Sequence, residues 1–129
     1  MRAILDTHTL IWAQDNPAKL GGAATQMLLN PAILLLISAA TIWEIGIKIA
    51  IGKLKLSLPY RPWIEKAISD LGLVEVDIGP RYVERQIGLP FHHRDPFDRL
   101  LASQALVEGI PLISGDAIFD AYSVTRIWN

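Results

Sequence analysis

The feature that most constrains the fold is a run of five bulky apolar residues, Ile33-Leu34-Leu35-Leu36-Ile37, bounded by Pro31 and Ser38. A bounded run of this length and bulk reads as a β-strand buried on both faces, which needs a layer of structure on each side. Other short apolar runs lie at 2–5, 73–76, 111–114 and 124–128, and read as further strands. Helical patterns separate them. They are expected over 7–13, 21–29, from Ser38 or Thr41 to about 51, 62–71, 80–87 and 95–108, with a last turn at 117–121. Gly52 and Gly109 act as stops, Asp95 as a cap before Pro96, and Pro62 is expected near the first helical position. Residues 53–58 read as a connector.

Strands alternating with helices imply an α/β fold, a three-layer α/β/α domain around a mostly parallel sheet of four or five strands. At 129 residues, without repeats or linkers, the chain is expected to form one domain over 1–129. Hydrophobic residues make up 51% and charged residues 19%, which supports a real core and excludes a disordered chain. The absence of cysteine excludes a disulfide scaffold, a zinc–thiolate site and a cysteine nucleophile. No signal peptide is legible, and no apolar run approaches the ~20 residues that span a bilayer, so no membrane role and a cytoplasmic location are expected. The net charge of −1 matters as well. A protein gripping nucleic acid by bulk phosphate neutralisation shows a basic surface, so any such role here rests on a site. The apolar surplus suggests a surface covered by a partner.

In parallel sheets, ligands sit beyond the carboxyl ends of the strands, and two acids, Asp6 and Asp116, fall at such ends. Alone, Asp6 reads as a helix cap as readily as a ligand, and Asp116 as a cap or turn residue. Glu44 reads as an exposed partner of Lys48 four residues on, or as a partly buried acid between Trp43 and Ile45. Asp95 is a helix cap; Asp98 then falls near the third helical position, serving the dipole, pairing with Arg99 or facing a cleft. Asp120 reads as solvent-facing.

Together these acids carry more weight than singly. Anions converging in one crevice repel unless a cation neutralises them, and oxygen donors suit Mg²⁺ or Mn²⁺. An ion so held activates water and stabilises a phosphoryl transition state, the logic of phosphodiester hydrolysis. Rival chemistries fall away. The haloacid-dehalogenase phosphatases need an Asp where this chain has His8. Gly21-Gly22 is followed by no Lys-Ser/Thr, and no Ser stands in a nucleophile elbow. The adjacent His92 and His93 show no metal-binding spacing and read as loop residues, one of them near the substrate.

Four motifs in order span the chain: Leu5-Asp6-Thr7-His8-Thr9-Leu10-Ile11-Trp12, Ser38 through Trp43-Glu44-Ile45-Gly46-Ile47-Lys48, His93-Arg94-Asp95-Pro96-Phe97-Asp98-Arg99-Leu100-Leu101, and Leu112-Ile113-Ser114-Gly115-Asp116. Phe119, Tyr122 and Trp128 follow them. In this order they resemble the PIN-domain ribonucleases, and within them the VapC-type toxins of bacterial toxin–antitoxin pairs. The resemblance places the family's acids on Asp6, Glu44, Asp98 and Asp116, as catalytic residues and metal ligands. It leaves Asp95 as a supporting or capping residue, and Thr7, Ser38 and Ser114 as hydroxyls lining the site. It implies one or two Mg²⁺ or Mn²⁺ ions, endonucleolytic cleavage of RNA by a metal-activated water, homodimerisation and inhibition by a cognate VapB-type antitoxin. The alternatives are a catalytically silent PIN-like binding module and a metal-dependent phosphoesterase acting on DNA.

Overall fold

The computed structural model describes residues 1–129. Five parallel strands, β1 (Arg2–Leu5), β2 (Leu34–Ser38), β3 (Val74–Val76), β4 (Leu112–Ile113) and β5 (Arg126–Ile127), form one sheet in the order β3-β2-β1-β4-β5. Six α-helices connect them: α1 (Thr7–Asp15), α2 (Gly22–Leu29), α3 (Ala39–Ala50), α4 (Tyr60–Leu71), α5 (Pro80–Ile87) and α6 (Pro96–Glu108). Two 3₁₀ segments, Pro17–Lys19 and Ala117–Tyr122, complete the chain. No helix is long and apolar enough to cross a membrane.

The strand residues alternate between two cores, as the period of two requires. Ala3, Leu5, Leu35, Ile37 and Ile113 pack against Leu10, Ala24, Ile45, Trp63, Ile64 and Ala67 from α1 to α4. Ile4, Leu36 and Leu112 face the other way, onto Leu101, Ala102 and Ala105 of α6, with Phe119 and Tyr122. Each fully buried aliphatic side chain contributes about 1.5–3 kcal/mol. This is the expected three-layer arrangement, and the central run around Leu35–Ile37 is buried from both sides.

The sheet is parallel throughout, not merely mostly so. One helix start differs from expectation. α4 begins at Tyr60, with Pro59 as its cap, and Pro62 sits at the third position. The first-turn N–H groups have no intrahelical partner, so proline is tolerated there as well as at the first position. The strands at 111–114 and 124–128 shrink to two paired residues each.

Topology sets the position of the crevice. The chain moves outward from β1 through β2 to β3, then returns to the opposite side of β1 for β4 and β5. The switch point therefore lies between β1 and β4, where open parallel sheets take their ligands. Asp6 leaves β1 and Ser114-Gly115-Asp116 leaves β4 at that crevice.

Candidate active site at the switch point of the sheet

Asp6 caps α1: its Oδ1 accepts the Thr9 amide at 2.7 Å, and its Oδ2 accepts the Ser114 hydroxyl. The cap reading of this residue holds, and a carboxylate keeps lone pairs beyond those used by the cap. Burial pushes its carboxyl above the ordinary range, against the lowering effect of the Ser114 and Thr9 hydrogen bonds. The Thr9 hydroxyl donates to the Ile113 carbonyl at 2.8 Å, pinning the start of α1 to β4. Ser114 also accepts the Asp116 amide at 3.0 Å, so one hydroxyl organises both strand-end acids.

Glu44 is buried within α3, 4% exposed. The Thr7 hydroxyl donates to its Oε1 at 2.7 Å, and Lys48 Nζ lies 2.8 Å from its Oε2. The i,i+4 pair foreseen in the sequence therefore forms, but its acid faces inward and not toward solvent. Glu44 holds the Lys48 ammonium above its ordinary value, with Asp95 and Asp98 adding to the effect and burial opposing it. Ser38 is fully buried and caps α3, accepting the Ala40 amide at 3.1 Å. Its role is in the helix start.

Asp95 caps α6 through Oδ1, which accepts the amides of Phe97 at 2.8 Å and Asp98 at 3.4 Å. Asp98 projects from the first turn toward the crevice. Its carboxyl is pushed up to about 7, first by burial and then by the negative charges of Asp95, Glu44, Asp6 and Asp116. The acids that act on this carboxyl come from the ends of β1 and β4 and from α3 and α6. Asp98 does not pair with Arg99, which is buried and turns away to donate to the carbonyls of Gln86, Leu89 and Pro90.

His93 belongs to the site, and its spacing in the sequence gave no sign of this. Its Nδ1 accepts the Asp95 amide at 3.1 Å, which leaves the proton on Nε2. Nε2 lies 2.8 Å from Asp98 Oδ2 and 4.0 Å from Asp116 Oδ2. One donor atom each from His93, Asp98 and Asp116 fall within 4.8 Å of one another. Its neighbour His92 instead packs against the Tyr122 ring, with centroids 5.3 Å apart. Asp116 caps the second 3₁₀ segment through Oδ1, and Asp120 faces solvent and pairs with Arg126.

The donor set fits a hard divalent cation. Carboxylate oxygens dominate, one imidazole stands beside them, and Lys48 is the only lysine or arginine in an ion pair with one of these acids. Burial is the main cause of the upward push on Asp98, and the neighbouring acids add to it, so a nearby positive charge would favour the ionised carboxylate. His93, Asp98 and Asp116 are the residues whose donor atoms lie close enough together to share an ion, and Asp6 and Glu44 lie near enough to act on Asp98.

The carboxylates thus gather at the switch point of a parallel α/β sheet, where such folds take their ligands. Residues 3–124 match the PIN domain family, and the chain belongs to that family, a family of nucleases. Among curated proteins, none matches it by sequence. The fold is similar to that of a chain in the VapBC2 structure from Rickettsia felis bound to a DNA fragment from their promoter (TM-score 0.75, 18% identity, 100% of both chains covered). It is also similar to a chain of VapBC-1 from nontypeable Haemophilus influenzae (TM-score 0.64, 18% identity, covering 98% of this chain and 96% of that one). A third is a member of the VapBC family of toxin–antitoxin systems, VapBC-5 from Mycobacterium tuberculosis (TM-score 0.61, 19% identity, covering 98% and 97%).

Proposed function

We propose that this chain is a divalent-metal-dependent endoribonuclease, a VapC-type toxin neutralised by a cognate VapB-type antitoxin. The observation that carries the proposal is that Asp6 and Asp116 line one cleft while Asp98, Asp116 and His93 bring donor atoms within 4.8 Å of one another, with Glu44 near enough to act on Asp98. The similarity of the fold to chains of VapBC structures supports the choice of partner class. Residues 1–129 act as one PIN domain, as a homodimer in the cytoplasm.

When bound, Mg²⁺ or Mn²⁺ activates a water and stabilises charge on the phosphoryl oxygens. The chain's own residues prepare the place. Ser114 and Thr9 hold Asp6 in a fixed orientation, and His93 does the same for Asp98. Thr7 and Lys48 fix Glu44, and the Lys48 charge offsets part of the acidic field that would repel a phosphodiester.

The test is side-by-side cleavage of RNA and DNA of one sequence by purified protein with Mn²⁺. Wild type is expected to cut internal RNA bonds, and Asp6→Asn and Asp98→Asn to lose that activity while staying folded. Preferential cleavage of DNA would favour the phosphoesterase alternative. RNA cleavage surviving both substitutions would overturn the proposal.

A further inference from the structure

A second feature of the crevice lies beside the acids. A cleft of about 520 Å³ is lined by Asp6 and Asp116 together with His8, Trp12, Lys19 and Trp128. Its volume falls within the range of small-ligand sites. We propose that it is a stacking subsite for one unpaired nucleobase of the RNA substrate, next to the phosphodiester at the carboxylates. This inference rests on the nuclease reading and names how the substrate is held.

The aromatic wall is continuous. His8 and Trp12 lie one turn apart on α1 with ring centroids at 5.6 Å, and Trp12 lies 5.8 Å from Trp128. Neither indole is fully buried, so ring surface remains open to the cleft. Lys19 Nζ stands 5.7 Å from the Trp12 ring centre, a cation at the rim where the sugar–phosphate chain would pass. Open aromatic faces beside a cation are the recurring means of holding single-stranded nucleic acid, because every base has a π-face.

The wall is also built in place. A Cβ on Gly115 would come within 2.9 Å of the Trp128 indole, and one on Gly21 within 2.2 Å of the Trp128 carbonyl oxygen. The Ala24 amide donates to that carbonyl at 3.0 Å. Trp128 is thus clamped against the residue that precedes Asp116, which sets the distance between stacking surface and acid. A site with these contents also answers the near-neutral charge of the chain: affinity would come from stacking and the bound ion, not from a basic surface.

The experiment uses Trp12→Ala and Trp12→Phe in a Trp43→Phe background, which removes the exposed indole elsewhere. Binding of an unstructured oligoadenylate is read by tryptophan fluorescence, cleavage by kcat and KM, and Mn²⁺ affinity by calorimetry. Trp12→Ala is expected to weaken oligonucleotide binding and raise KM roughly 5- to 150-fold, the range of one lost base stack. Mn²⁺ affinity should stay unchanged, and Trp12→Phe should recover most of the loss. Unchanged oligonucleotide affinity and KM in Trp12→Ala would overturn the subsite while leaving the nuclease intact, including where the variant has lost affinity for a protein partner. Wild type that binds Mn²⁺ but neither quenches with nor cleaves RNA would sink the nuclease reading itself.

Discussion

His93 Nε2 lies 2.8 Å from Asp98 Oδ2, while the Asp95 amide occupies the other ring nitrogen. The imidazole is therefore locked in one tautomer and bridges the loop before α6 to the acid in its first turn. Groups that orient a metal-binding carboxylate typically contribute 10- to 100-fold to metal affinity or activity. His93→Ala is expected to lower RNA cleavage by roughly that factor, and His93→Gln, which keeps a donor, by less. Equal rates for all three proteins would remove His93 from the site.

Asp98 supplies a prediction about pH. In the folded chain its carboxyl holds a proton up to about pH 7, against 3.8 for an unperturbed side chain. Between those values the folded state binds more protons than the unfolded state, so metal-free stability falls as pH rises through the window. Asp98→Asn removes this dependence. At pH 8 the metal-free variant should be more stable than wild type by on the order of 2 kcal/mol, with the gap closing by pH 4. Urea unfolding at both values measures it; a gap independent of pH would contradict the account. Mn²⁺ should stabilise wild type more at pH 8 than at pH 5, because deprotonated Asp98 then has a partner.

Arg99 is expected to matter without touching substrate. Its guanidinium donates to three carbonyls around the turn that leads to His93, and the Phe91 ring packs over it at 4.0 Å. Lysine cannot reproduce that fork. Arg99→Lys should cost about 1–3 kcal/mol of stability in denaturant unfolding and reduce cleavage by loosening His93. A variant as stable and as active as wild type would show that the loop is held by other contacts.

Much of this architecture was legible from local chemistry. Asp95-Pro96 and Gly109 frame α6 as expected, and 80–87 forms α5 without adjustment. The four acids were legible because each stands at an element start or on a helix whose neighbours are apolar. What the sequence left open depends on distant partners. Whether Glu44 faces in or out is decided by Thr7, 37 residues away. Asp6 meets Ser114 across 108 residues. The place of β4 beside β1, which creates the crevice, follows from the reversal of strand order and has no local signal. The sequence places one of the two adjacent histidines near the substrate without saying which, because the choice depends on Asp98 and Asp116 converging: His93 meets them, and His92 turns to Tyr122 instead.

Everything proposed for this crevice depends on its carboxylates holding a divalent ion. Calorimetric titration of Mn²⁺ into metal-free wild type and Asp98→Asn, with both shown to be folded, tests it most directly. The account predicts saturable binding to wild type and at least about tenfold weaker binding to the variant. No binding to wild type, or equal affinity in the two proteins, would contradict it.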